Sequence, residues 1–320
     1  MATETEHDAW HEPTTDDPYW TETSYWGFYV PERKLSGTVY NMWRRNLGLV
    51  SSRVWVWDDD GDLPHDIPYT SMQEQLVIPD DADPTSFSLP SGLSCERTGP
   101  FGAHHLQYAD GEALAFDLQT SPAREPVAAW GGHGGEGAGH FDQHIAVTGT
   151  LRLWGENIDV DCLSMRDRSW SVRPDFGLPR LMAGYMHGAA SADECFLVMA
   201  TGDPDSQARG EAQPIPRSGC LVRDGVPAVI TGGSRTTLER HRGRPRRLAV
   251  ELEDELGRTV RMQGEALNNL GTQLNPSIFN WFSLHRWTYD DGTVAFGEDQ
   301  ETWIPQTALH TVLTSAVEHV

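Results

Sequence analysis

The chain has 320 residues and a formal net charge of −23 with histidine neutral, so it is long enough to bury a large core, as two ordinary domains or one large β domain. A surface this acidic repels phosphate backbones and anionic headgroups, which excludes nucleic acid as an expected partner. No apolar run approaches membrane-spanning length, so no membrane insertion is expected.

Residues 1–20 read as an acidic N-terminal arm, polar and proline-containing and too poor in apolar groups to fold alone. Its start lacks the basic and apolar regions of a secretion signal, and a cytoplasmic location is expected. From Tyr25 the character changes to short apolar or alternating runs, among them Trp26–Val30, Leu49–Trp57, His144–Trp154, Ile158–Met165, Leu248–Leu252 and Trp281–Tyr289. That pattern predicts a mainly β protein. Asp60-Gly61, Asp110-Gly111, Asp224-Gly225 and Asp291-Gly292 supply positive-φ dipeptides that suit tight hairpins. Leu248–Met262 and Leu151–Cys162 read as two such hairpins. A Pro/Gly-containing link near Arg173–Pro179 separates two β-rich halves, and no exact internal repeat stands out. Pro305, followed by Leu309, Val312, Leu313, Ala316 and Val317, predicts a C-terminal helix. The four cysteines, Cys95, Cys162, Cys195 and Cys220, have neither CxxC pairing nor zinc-ligand spacing, so buried free thiols and no structural metal are expected.

The glycine-rich run 130–140 lacks a phosphate-binding pattern and reads as a long loop, a lid or an insertion. Directly after it, His140, Asp142 and His144 fall on one face of an extended segment, which suits proton transfer or hydrogen bonding to a ligand. A metal centre would need a distant ligand that the sequence does not identify, and solvent exposure is the plain alternative. His104-His105 reads as strand-edge polarity.

In the strand from Ile158, Asp159 and Asp161 share one face and Cys162 the other, after which Leu163 and Met165 reverse the phase. A bulge near Cys162–Ser164 would do that. Arg166, Asp167, Arg168, Trp170 and Arg173 follow. Asp167 is either held ionised by the flanking arginines or, facing an apolar cavity, desolvated into a usable general acid. Glu298, Asp299 and Glu301 offer paired carboxylates, the requirement of a glycoside hydrolase, or a solvated edge. Several of the twelve tryptophans, including Trp55, Trp57, Trp154, Trp281 and Trp287, lie on candidate strands. They either fill the core or line a cavity for a large apolar ligand.

The block Arg166-Asp-Arg-Ser-Trp-Ser-Val-Arg173, preceded by Gly149–Trp154, resembles the signature of the hydroxyneurosporene synthase and carotenoid 1,2-hydratase superfamily, in an uncharacterised bacterial branch. Pro31–Tyr40, Trp55–Asp58 and Trp287–Trp303 resemble it more loosely. Arg168 stands where histidine is commoner and Ser171 where glycine is. The resemblance implies two tandem lipocalin-like antiparallel β-barrel domains, 21–175 and 176–320, with a C-terminal helix. It further implies a hydratase, dehydratase, isomerase or cyclase without a cofactor or metal, acting on a C=C bond of a hydrophobic isoprenoid-, steroid- or polyketide-like substrate.

On that reading Asp167 is the general acid and Trp170 a wall that stabilises a cation, with Asp142 and His144 assisting. Arg166, Arg168 and Arg173 set the acidity of Asp167. Trp55, Trp57, Tyr108, His140, Trp281, Trp287 and Glu298 are expected to line the substrate. The alternatives are a non-catalytic carrier or sensor of a hydrophobic small molecule and a cavity-shaped pericyclase, and a homodimer is allowed.

Overall fold

The computed structural model describes residues 8–99, 102–128, 137–175, 182–203, 206, 209–276 and 278–304. Their regular structure is almost wholly strand, in two compact units, one comprising residues up to Val56 with Pro68–Arg173 and the other Trp57–Ile67 with Pro174 onward. The expected C-terminal helix and most of the glycine-rich run lie outside the described residues. No described helix is long and apolar enough to cross a membrane. Among the described residues none of the four cysteines forms a disulfide; Cys220 is half-buried and the other three are buried.

The strands of the first unit are β1 (Trp20–Val30), β2 (Leu35–Arg44), β3 (Leu49–Trp57), β4 (Tyr69–Val77), β5 (Phe87–Ser88), β6 (Ser94–Gly99), β7 (Ala103–Asp110), β8 (Leu114–Pro122), β9 (Val127–Ala128), β10 (Gly139–Leu153) and β11 (Glu156–Val172). They form one sheet in the order β4-β3-β2-β1-β11-β10-β8-β7-β6-β5, with β9 added to β10. The sheet curls into a half-barrel, so that Trp26 meets Phe87 and His104, and Phe28 meets Phe116, across its inner face. Along β1 both faces are buried, which is why its sequence shows no alternation.

The second unit contains β12 (Met182–Ser191), β13 (Glu194–Gly202), β14 (Gln213–Pro214), β15 (Cys220–Arg223), β16 (Val226–His241), β17 (Arg244–Asp254), β18 (Thr259–Ala266), β19 (Leu270–Asn275), β20 (Ile278–Tyr289) and β21 (Val294–Trp303). Here the sheet closes, because β16 pairs with β17 as well as β15, giving an eight-stranded barrel. Its interior is a packed apolar core that includes Met186, Phe196, Leu221, Ile230, Val250 and Trp287. In β18, Val260, Met262, Gly264 and Ala266 are buried while the residues between them are exposed, the period-two pattern of a strand with one wet face. The mainly β, tandem lipocalin-like architecture expected from the sequence is present, one unit closed and the other a curled half-barrel.

Asp224-Gly225 turns the chain between Arg223 and Val226 with φ of 53° and 74°, the double positive-φ turn that suits a two-residue hairpin. Trp154-Gly155 does the same between Leu153 and Glu156, so Trp154 is an exposed turn residue and not part of a wall. Asp60-Gly61 instead lies in the connection between β3 and β4. Leu248–Met262 pairs as the expected hairpin of β17 with β18.

The two units repeat one local arrangement that the sequence does not reveal. In each, the first strand pairs antiparallel with the last, Tyr25 facing Asp167 in one and Tyr185 facing Gln300 in the other. The neighbours on the last strand turn inward with opposite charge, Arg166 and Arg168 in the half-barrel, Asp299 and Glu301 in the barrel. Arg235, fully buried, pairs with Asp299 at 2.7 Å and Glu301 at 2.9 Å, and Arg240 pairs with Glu301 at 2.7 Å.

Candidate functional site

Strand alternation sorts the Arg166–Trp170 block onto two faces. Arg166, Arg168 and Trp170 lie on the side of Ser24 and Glu22, while Asp167 and Ser169 lie on the side of Tyr25 and Thr23. The pairing of β10 with β11 runs unbroken from Gly139 opposite Trp170 to Leu153 opposite Glu156, so the expected bulge near Cys162–Ser164 is absent. The apolar phase reverses there because the second face also becomes buried, which removes the need for polar residues on it.

Neither flanking arginine pairs with Asp167. Arg166 donates to both carboxylate oxygens of Asp8, at 2.6 and 3.3 Å, and to Gln143 Oε1 at 2.7 Å. Arg168 donates to Glu22 Oε2 at 2.8 Å and to the carbonyls of Thr23 and Asp8. Trp170 is stacked under the ring of His11 at 3.4 Å. The expectation that Trp170 walls the substrate beside Asp167 fails on this geometry, since the two side chains leave the strand in opposite directions.

What the register does bring to Asp167 is a row of side chains from four strands. Asp142 on β10 stands opposite it, Tyr25 on β1 stands opposite on the other side, and Tyr40 on β2 faces Tyr25. The two tyrosine rings meet edge to face at 6.4 Å. His140 Nε2 lies 3.1 Å from Asp142 Oδ1, and His144 follows on the same face of β10. Below Asp167, Arg173 donates to Ser169 Oγ at 2.5 Å, and Ser169 shares a hydrogen bond with Thr23 Oγ1. Trp55 shares this face too, two residues along β3 from Arg53, whose Nη1 contacts Met42 Sδ on β2 at 3.2 Å.

The electrostatics follow from burial. Asp142 is fully buried and Asp167 half-buried. Burial raises the Asp167 carboxyl from 3.8 to about 6; His140 and Arg173 pull it down while Asp142 pushes it up. Burial opposes a charge on His140, yet Asp142 and then Asp167 hold its pKa above the ordinary value. Burial likewise raises the Tyr40 hydroxyl, against Arg173. The arrangement therefore sets a carboxyl with a raised pKa beside a histidine–aspartate pair, a set able to exchange a proton at mildly acidic pH. His140, Asp142 and Asp167 also present one ligand atom each within 4.8 Å of one another, so these three could hold a divalent cation. The distant partner that the sequence could not name for His140 and Asp142 is Asp167.

The other expected site residues lie elsewhere. Tyr108 is on the inner face, hydrogen-bonded to Tyr69 at 2.6 Å and stacked on Phe116. Trp57, the last residue of β3 and the first of the second unit, donates its Nε1 to Asn268 Oδ1 at 2.9 Å. Trp287 is core of the barrel and Trp281 packs with Trp303 and Phe279. Glu298 is buried, accepting from Gln300 Nε2 at 3.0 Å, while Glu301 is clamped by Arg235 and Arg240. No open groove lined by a carboxylate pair exists at these residues, so the glycoside hydrolase reading has no support. Tyr25 and Tyr40 were not singled out from sequence, because only strand register brings them to Asp167. His104 is buried, not edge polarity, and burial together with Arg166 drives its pKa down to about 3.

Residues 4–303 match the model of a family described as Domain of unknown function (DUF7064), and the chain belongs to that family. No curated protein matches the sequence. Among solved structures the fold is similar to NE1406 of Nitrosomonas europaea, with a TM-score of 0.60, 13% identity and coverage of 89% of this chain and 92% of that one. It is also similar to kievitone hydratase of Nectria haematococca, with a TM-score of 0.51, 12% identity and 95% of each chain covered. CghA aligns with a TM-score of 0.50 and 11% identity, covering 90% of this chain and 88% of that one. At these identities the similarities establish the fold.

Proposed function

We propose that this DUF7064 family member is a cofactor-independent hydratase or dehydratase, or an acid-initiated isomerase or cyclase, acting on a C=C bond of a hydrophobic substrate with Asp167 as the general acid. One observation carries the reading: a carboxyl whose pKa is raised to about 6 lies between a second buried aspartate and two tyrosine rings on one sheet face. The fold shared with kievitone hydratase supports the reaction class, and the Arg166–Arg173 block supports membership of the carotenoid 1,2-hydratase-like superfamily.

In the addition direction the Asp167 O–H bond breaks and a C–H bond forms, leaving a carbocation on the substrate. The aromatic rings of Tyr25 and Tyr40 share the sheet face of the acid and are the groups assigned to stabilise that charge. Water then adds to the cation, its proton passing to the Asp142 carboxylate, and transfer between the opposed carboxyls restores Asp167. Elimination runs the same steps backwards. His140 holds Asp142 in place and limits how far the pKa of Asp167 rises. Isoprenoid-, steroid- and polyketide-like alkenes are the substrate classes to test.

The three ligand atoms within 4.8 Å favour one other reading, a divalent cation acting as Lewis acid at the same place, and chelation separates the two. The deciding experiment incubates the protein with such alkenes in deuterium oxide and follows products by mass. The proton-donor reading expects one carbon-bound deuterium in the product, unchanged by a chelator and absent with a folded Asp167→Asn variant. Equal turnover by that variant rejects Asp167 as the acid, and loss of turnover on chelation moves the assignment to the metal.

A further inference from the structure

We propose that Arg166 and Arg168 form a binding site for a small monocarboxylate on the inner face of the half-barrel, and that the chain's own Asp8 occupies it as a tethered ligand. The site is on the opposite side of the sheet from Asp167 and is independent of the reaction assigned there. Both guanidiniums are buried, to 1% and 0% exposure, and so is Asp8, at 2%. Asp8 meets Arg166 in a two-oxygen fork, the geometry by which arginine recognises a planar carboxylate. Arg168 reaches the same segment through the carbonyls of Asp8 and Ala9.

Charge balance defines the ligand. Of the two arginines, Arg168 has a carboxylate of its own on the sheet, Glu22, at 2.8 Å. Glu22 is itself shared with His11 at 3.1 Å and Arg45 at 3.9 Å. Arg166 has no carboxylate partner among the described residues other than Asp8, and its remaining contact is the neutral amide of Gln143. Without Asp8 the pocket holds at least one uncompensated buried positive charge, which destabilises the fold. One planar monoanion cancels it, whereas a tetrahedral dianion would overcharge it.

The surroundings suit a carboxylate on an apolar body. The Arg166 guanidinium lies 5.0 Å over the ring of Phe141, and His104 and Trp26 meet nearby with ring centroids 5.5 Å apart. His104 stays neutral there, and its Nε2 and the Trp26 indole nitrogen have no hydrogen-bond partner among the described residues. Room for the guanidinium is itself provided by the chain. At Gly102, with φ of 82°, a side-chain carbon would come within 2.2 Å of Arg166.

The test uses the full chain carrying Asp8→Ala, with formate as the probe and chloride at equal ionic strength as the control. Removing Asp8 should lower the thermal unfolding midpoint. Formate should raise it saturably, by about 4 °C at a tenfold excess over half-saturation, while chloride and sulfate should not. The wild-type protein, filled from within at high effective concentration, should not respond, and Asp8→Ala with Arg166→Met should lose the response. Should Asp8→Ala fold only in formate, the site is equally supported. If it folds in neither salt, the near-isosteric Asp8→Asn carries the same comparison. Equal effects of formate and chloride, or a response that survives Arg166→Met, overturn the proposal.

Discussion

Replacing Asp167 with asparagine should abolish turnover and stabilise the protein at neutral pH. The folded-state pKa of this carboxyl, about 6, stands above its ordinary 3.8. A raised value means that folding is favoured most when the group is protonated, so its contribution is complete below pH 3.8 and is lost as pH rises through about 6. The gap of roughly two pH units corresponds to ~3 kcal/mol of cost above pH 6, and partial exposure of the side chain reduces this to about 1–3 kcal/mol. Asparagine keeps the shape and cannot ionise. Urea unfolding of both proteins at pH 3.5 and pH 7.5 measures the effect: Asp167→Asn should equal wild type at the lower pH and exceed it by that amount at the higher. A variant less stable at pH 7.5 than at pH 3.5, relative to wild type, would refute the reasoning, because that is the sign of a carboxylate held by cations.

Other substitutions separate the two faces of β11 and the two units. His140→Gln removes a positive charge that lowers the Asp167 pKa, so the decline of turnover with rising pH, expected near 6 in wild type, should move to higher pH; an unmoved profile contradicts their coupling. Tyr25→Leu should reduce turnover at least tenfold, a loss of ~1.4 kcal/mol of transition-state stabilisation, whereas Trp170→Phe, under His11 on the other face, should change it less than twofold in folded protein. Arg235→Met strands the buried carboxylate of Asp299 and leaves Glu301 to Arg240 alone, and should destabilise the barrel by ~3–5 kcal/mol in chemical denaturation.

The architecture was legible where local chemistry decides it. Asp224-Gly225 specified its hairpin through positive φ, and β17 with β18 followed from alternation around a turn. The same alternation, applied to His140, Asp142 and His144, correctly put them on one face. Applied to Arg166, Asp167 and Arg168 it separates them, and reading neighbours in sequence as ion-pair partners ignored that period of two. The arginines' true partners, Asp8 and Glu22, lie more than 140 residues away. Tyr25 and Tyr40 escaped notice for the same reason, since only the pairing of the first strands with the last brings them to Asp167. The phase reversal at Leu163–Met165 looked like a bulge because a strand buried on both faces has no polar side to mark its register.

The most direct test of the central claim is the titration of the Asp167 carboxyl itself, followed by its side-chain carbon resonance and assigned by its absence in Asp167→Asn. A midpoint near pH 6, shifting upward in His140→Gln, is the result expected of a proton donor poised between Asp142 and the tyrosines. A midpoint at or below 3.8 would mean a carboxylate that stays ionised throughout, and the assignment of Asp167 as the acid would fall.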